Sequence, residues 1–295
     1  MNCPVCEVEF QPLYRINRYN PSLEIIVCPN CGLQRQKTFP KDLSSLYQEG
    51  YYTGHADYSY IDERSMEQAS DFVWQARLKT ISKFVHPPAR FLDVGCSFGG
   101  FVDAATRCGY QSTGVDLSEF AVTQGKKLGR NLVLGDLSII ANSSEKFDII
   151  TLIEVIEHLP EPLQTVRQLR SLLRSNGIVV IQTANFLGCQ AKKTKSNYHY
   201  YLPGHLYYYS TKNLRKLLLS NGFRKVWFYR PVDFGLWPKL QKMITQMRKH
   251  PHPKEQNQKI DYKRLFQSSM YHLQGKLAWN DFAYTSSMVC YGLVD

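Results

Sequence analysis

From Arg90 onward, short apolar segments alternate with amphipathic ones, and this alternation restricts the fold more than any other feature of the chain. Residues 91–94, 112–115, 132–134, 147–152 and 178–182 read as strands. Residues 100–108, 118–128 and 163–173 read as the helices between them, the last leading through Asn176-Gly177 into its strand. A further helix at 211–220, closed by Asn221-Gly222, and a strand at 224–229 continue the series. Such a pattern predicts an α/β, Rossmann-like doubly wound fold, with a mostly parallel seven-stranded sheet and helices on both faces. The apolar alternation at 288–294 is expected to close the sheet as an antiparallel strand.

Residues 1–40 lack helical periodicity and are broken by Cys, Pro and Asn. Four of the eight cysteines form two C-x-x-C knuckles, Cys3/Cys6 and Cys28/Cys31, separated by 21 residues. Each knuckle points two thiolates at one centre, and two knuckles complete a tetrahedral zinc site. The closed ligand set predicts a structural zinc ribbon; a redox pair would need one C-x-x-C, not two. Residues 41–86 read as a helical, Tyr-rich cofactor lid, with Tyr47, Tyr51, Tyr52, Tyr58 and Tyr60 ahead of a helix over 65–84. The main domain is expected to occupy 87–295, with 238–280 a basic insertion or lid, read as two helices.

The strand ending at Val94 runs into Gly95-Cys96-Ser97-Phe98-Gly99-Gly100, a turn of small residues that lets backbone and a helix N-terminus approach a ligand. The next strand ends in Asp116, whose carboxylate is suited to accepting both hydroxyls of a ribose. A third runs into Gly135-Asp136-Leu137, and a fourth into Ile153-Glu154-Val155-Ile156-Glu157-His158. A nicotinamide site would instead favour glycine where Ser97-Phe98 stand.

At these four motifs, across roughly residues 47–230, the chain resembles class I S-adenosylmethionine-dependent methyltransferases. The resemblance implies S-adenosyl-L-methionine as cofactor. Its methionine part would lie on Gly95, Ser97 and Gly99, its ribose on Asp116 and its adenine amine on Asp136. Asp93, Cys96, Leu117, Leu137 and Ile153 complete the expected cofactor set. Ser97 departs from the glycine many members carry. Glu154, Glu157 and His158, at i, i+3 and i+4 of a helical turn, would share one face and suit a divalent ion. The stretch is similar to the segment of ubiquinone-biosynthesis O-methyltransferases that carries a magnesium-type ion. In metal-independent relatives the same acids act as helix N-terminal charges, and the histidine lines the pocket.

By the same resemblance, His205 is the first candidate for general base, with His158 and His199 behind it. No Asn-Pro-Pro-Tyr-like run or Pro-Cys nucleophile follows the fourth strand, which leaves an oxygen or activated carbon as acceptor. The net charge of +11, concentrated between Lys192 and Arg264, favours an anionic small molecule, such as a nucleotide-linked sugar, a surface-glycan or a secondary-metabolite intermediate. An acidic carrier protein fits the same field. A zinc-ribbon RNA methyltransferase and a catalytically silent nucleic-acid-binding module are the competing readings. There is no apolar run long enough to span a bilayer and no signal-like start, so a cytoplasmic location is expected.

Overall fold

The computed structural model describes residues 1–39, 49–53, 63–249, 261–279 and 282–295. Tyr47, Tyr58 and Tyr60 of the expected lid, and residues 250–260 of the basic insertion, lie outside them. The N-terminal strands β1 (Gln11–Ile16), β2 (Leu23–Val27) and β3 (Gln34–Gln36) form an antiparallel ribbon. After the short helix α1 (Glu49–Thr53) comes α2 (Glu63–Ile81), which starts and stops slightly earlier than its periodicity indicated.

The main sheet follows: β4 (Arg90–Val94), α3 (Gly100–Arg107), β5 (Gln111–Asp116), α4 (Glu119–Lys127), β6 (Leu132–Leu134), α5 (Leu137–Ala141) and β7 (Phe147–Ile153). Then come α6 (Pro162–Leu172), β8 (Leu173–Ala184), α7 (Cys189–Thr194), the two-residue strand β9 (Tyr207–Tyr208) and α8 (Thr211–Leu219). The chain ends with β10 (Lys225–Tyr229), α9 (Leu236–Lys249), α10 (Tyr262–Lys276), the pair β11 (Ala278–Trp279) and β12 (Phe282–Ala283), and β13 (Ser287–Leu293).

The large sheet has seven strands in the order β10-β13-β8-β7-β4-β5-β6, with β13 antiparallel to both neighbours. This is the expected doubly wound architecture. Local chemistry sets many of the boundaries. Ser118 caps α4 by accepting the Ala121 N–H, and Ser210 with Asn213 forms a capping box on α8. Pro162 opens α6, where its missing N–H costs nothing. Strand β8 begins earlier than expected: Leu173 pairs with Phe147, and the register then jumps to Ile178 opposite Ile149. The Asn176-Gly177 turn is thus a bulge inside the strand, with Asn176 at φ 61.

The ribbon is joined to the main fold. Strand β3 pairs antiparallel with β9, so Tyr207 and Tyr208 become a fourth strand of the N-terminal sheet. Cys3, Phe10, Ile26, Cys28, Cys31 and Leu33 share one hydrophobic cluster with Leu206, Tyr207, Leu214 and the strands β7 and β8. Helix α9 packs along α2. Among the described residues no helix is long and apolar enough to cross a membrane.

Candidate active site

At the C-terminal ends of β4, β5, β6 and β7 lies a cleft of about 790 Å³. Its floor is the turn after β4. Gly95 has φ 70, and a Cβ there would come within 2.4 Å of Val155, so both conformation and space require glycine. Ser97 also lies in the left-handed region, at φ 52, a conformation that glycine adopts more easily. Gly99, at φ 76, is the N-cap of α3 and does not line the cleft.

Asp116 closes β5 beside this turn. Its Oδ2 accepts the Ser97 N–H at 2.8 Å and its Oδ1 the Ser118 N–H at 2.9 Å, so the carboxylate ties the two loops together. Burial raises its pKa, while these amides and the Tyr52 hydroxyl work against that rise. Asp136 stays exposed and caps α5, accepting the Ser138 N–H at 2.9 Å. Leu117, Leu137 and Ile153 line the same cleft. Besides Gly99, two residues of the expected cofactor set do not. Cys96 turns away to pack with Val102, Val122 and Leu132, because Gly114 leaves room for its sulfur. Asp93 is buried beneath the turn, accepts the Thr151 hydroxyl at 2.5 Å, and is pushed up to about 7 by burial.

The other end of the cleft is built by backbone bonds between distant segments. The Leu206 N–H donates to the Glu157 carbonyl at 2.7 Å, and His158 Nδ1 lies 2.8 Å from the Gly204 carbonyl. These contacts bring His205 to His158, with ring centroids 4.7 Å apart. His205 Nδ1 in turn lies 3.0 Å from the Tyr200 carbonyl. A carbonyl can only accept, so both rings carry the proton on Nδ1 and the lone pair on Nε2. Burial pushes His158 down to about 4 and, together with the neighbouring His158, His205 down to about 3. His199 is absent from the lining, and burial also lowers its pKa.

Of the expected trio, Glu157 and His158 converge, while Glu154 lies beside Glu157 but outside the converging set. The chain makes a 3₁₀ turn over Ile156–His158, and Glu154 precedes it at φ 57. Its carboxylate accepts a hydrogen bond from Gln182 at 2.7 Å. Gln182 is held by Arg77, whose guanidinium is paired with the buried Asp233 at 3.0 Å. The ligand atoms that do converge, within 4.8 Å of one another, belong to Glu157, His158 and His205. Glu157 is 2% exposed, and burial together with the neighbouring Glu154 carboxylate holds its pKa well above the usual carboxylate range. A buried carboxylate in that state is costly unless it is protonated or meets a cation.

Several lining residues escaped the sequence reading. Glu63 begins α2, Thr165 and Gln168 lie on the cleft side of α6, and Leu202 faces His205's end. The i, i+4, i+7 row of Glu161, Thr165 and Gln168 was the signal for the α6 face. Tyr51 and Tyr52 of the Tyr-rich segment also line the cleft, as does Tyr200.

Cys3, Cys6, Cys28 and Cys31 converge in a second cluster, also with ligand atoms within 4.8 Å. The two knuckles share a geometry: the Glu7 N–H donates to the Cys3 carbonyl at 2.8 Å, and the Gly32 N–H to the Cys28 carbonyl at 2.9 Å. Glu7 and Gly32 are both left-handed, at φ 59 and 72. The Cys3 sulfur and burial push the Cys31 thiol up, so four thiolates would share this space only around a cation.

Residues 66–227, more than half of the chain, match the family described as a methyltransferase domain. The chain belongs to that family. Ubiquinone biosynthesis O-methyltransferase of Coxiella burnetii is 33% identical to this methyltransferase over 100 residues, covering 32% of this chain and 43% of the relative. The chain therefore spans less than half the length of the relatives it matches. A solved S-adenosylmethionine-dependent methyltransferase from Archaeoglobus fulgidus superposes with a TM-score of 0.53 at 18% identity, over 78% of this chain and 97% of the other. Haemonchus contortus phosphoethanolamine N-methyltransferase 2, solved with phosphomonomethylethanolamine and S-adenosylhomocysteine, gives 0.56 at 16% identity, over 96% and 70%. At these identities the two structures speak to fold alone. Fold and family together are those of the class I S-adenosylmethionine-dependent methyltransferases.

Proposed function

We propose that this methyltransferase transfers the methyl group of S-adenosylmethionine to an oxygen, or an activated carbon, of a small molecule. The observation that carries the reading is a single cleft with two chemically distinct ends. One end has the left-handed Gly95–Ser97 turn and the acids Asp116 and Asp136; the other has His158 and His205 with Tyr200 and Leu202, and the buried Glu157, outside the lining, converges on the two rings. Donor at the first and acceptor at the second would meet in line.

The acceptor's charge is a separate matter. Among the described residues the lining includes five acids and no Lys or Arg, and Lys242 acts on one of those acids, Glu63. An acceptor oxygen carrying negative charge would be held at His158 and His205 only through a bound cation, because neither neutral ring has a second proton to donate. In favour of an ion there are the convergence of the buried Glu157 carboxylate with His158 and His205, and two imidazoles whose Nδ1 atoms are engaged by backbone carbonyls. Two imidazoles with one carboxylate suit a borderline divalent ion better than magnesium. When bound, such an ion would lower the pKa of an acceptor hydroxyl. A histidine held near 3 is by itself a weak proton acceptor, so the two rings without an ion would serve mainly to orient the acceptor.

The four N-terminal cysteines would hold a structural zinc ion. Residues 1–40 would act as a ribbon, 41–86 as part of the lid over the donor, and 87–295 as the methyl-transfer domain, with 238–280 a basic appendage. The test is mass spectrometry of hydroxylated candidate acceptors incubated with isotopically labelled donor. A gain of one methyl on oxygen or carbon is expected. Activity should fall in a chelator and return with zinc or manganese more than with magnesium. Methyl gain on nitrogen, or none, would overturn the assignment, and full activity in chelator would remove the ion.

A further inference from the structure

Helix α10 presents an apolar row to solvent. Tyr262, Phe266, Met270 and Leu273 are 75%, 66%, 38% and 51% exposed, and Leu277 continues the row just past the helix end at 64%. At 100° per residue these five positions fall within about 80° of arc. Single exposed apolar side chains are ordinary on a protein surface, but five aligned ones are not. Lys263 lies on one side of the row and Lys276 on the other, both exposed, and the helix holds no acidic residue. Its inner face is occupied: His272 and Gly275 are buried, Gly275 against Pro231, and the Tyr271 hydroxyl accepts the Ser286 N–H.

At the C-terminal end of α10 the row meets a groove of about 600 Å³, lined by Lys79, Lys83, Arg230 and Lys276. The one carboxylate there, Asp233, is engaged by Arg77 and the Tyr291 hydroxyl. Across residues 236–276 the sequence carries nine Lys or Arg against two acids, which is +7 of the chain's +11.

We propose that the outer face of α10, with the basic groove at its C-terminal end, docks on an anionic lipid surface. The row would enter the headgroup boundary while Lys263 and Lys276 stay at phosphate level, and the groove would take headgroup phosphates. The chemistry favours lipid over two other occupants. A second copy would bring like-charged rims together across a two-fold contact. Nucleic acid would find its phosphates opposed by Met270, Leu273 and Leu277, aliphatic side chains that neither stack nor hydrogen-bond to bases.

The experiment is flotation of the full chain with phosphatidylcholine vesicles, with and without phosphatidylglycerol. Binding to the anionic vesicles is expected, weakening as salt rises. The double variant Phe266→Ser/Leu273→Ser should lose roughly tenfold or more of the partitioning per side chain removed. Lys263→Glu/Lys276→Glu should lose it most at low salt. Both variants should bind S-adenosylhomocysteine like the parent, which shows the cleft intact. The proposal fails if the parent floats with neither vesicle, or if the Ser double variant floats like the parent. It also fails if the row proves to be a dimer contact that the Ser pair dissolves without any lipid binding. Salt-sensitive RNA binding lost only on charge reversal, with no flotation, would assign the surface to RNA instead.

Discussion

Asp116 shows how a single carboxylate serves both the fold and the site. Its oxygens accept the Ser97 and Ser118 amides, so removing it leaves two N–H groups short of an acceptor as well as emptying the position expected to face a ribose. Asp116→Ala should weaken S-adenosylhomocysteine binding by about one to three orders of magnitude, at roughly 1.5–3 kcal/mol per charged hydrogen bond. It should also cost about 1–3 kcal/mol of stability, because the orphaned amides are buried with the turn. Asp136→Ala should cost less affinity, and its stability loss should be that of a helix cap, about 1 kcal/mol. Calorimetry on the parent and both variants checks the order; equal affinity for Asp116→Ala would refute the role. Asp93 acts through pH. Burial pushes it up to about 7, whereas an unfolded aspartate titrates near ~4. Between those values the folded chain holds a proton the unfolded chain has lost, so stability falls as pH rises through that window. The slope should reach up to ~1.4 kcal/mol per pH unit. Denaturant titrations of the unliganded protein should show this decline, and Asp93→Asn should flatten it.

At the level of elements, the ribbon and the histidine end of the cleft are built together. The Gln36 side-chain amide donates to the carbonyls of Leu202, Pro203 and His205 at 3.0, 2.9 and 2.8 Å, and its backbone N–H to Leu206 at 3.0 Å. Arg18 reaches the carbonyls of Tyr198 and Tyr201, both at 2.8 Å. The loop that carries Tyr200, Leu202 and His205 is therefore held from the N-terminal sheet. Cys28→Ser should abolish zinc in elemental analysis and raise amide exchange in residues 1–39. It should raise exchange in residues 198–208 as well, where a merely appended ribbon would leave them protected. Donor binding should change little, since the Gly95 turn and Asp116 hang from β4 and β5.

For the whole molecule, the shared cluster joining Cys3, Cys28 and Cys31 to Leu206, Tyr207, Leu214 and the central strands means the ribbon has no core of its own. A strong chelator should therefore lower one common thermal transition, read alike by far-ultraviolet dichroism and aromatic fluorescence. Two separated transitions would show an independent ribbon. How much of this was legible in the chain follows from the range of the interactions. The sheet was readable because its signals are local: apolar strands at 91–94, 132–134 and 147–152, Ser118 and Pro162 at helix starts, and glycine where β4 turns. The Cys knuckles were readable because four ligands in two short pairs state their own geometry. Cys96 and Glu154 were not, because which way a side chain turns depends on neighbours far off in sequence, Gly114 for one and Gln182 for the other. Nor was the meeting of Glu157, His158 and His205, which rests on the bonds from Leu206 and to Gly204 across some 46 residues. The doubly wound sheet, the glycine turn with its acids, and the paired knuckles are written in the chain, since each is encoded by periodicity or spacing over a few residues. That the ribbon holds the loop carrying His205, and which carboxylate stands beside the histidines, came from the fold. Those outcomes depend on strand pairing and burial between segments that no local pattern connects.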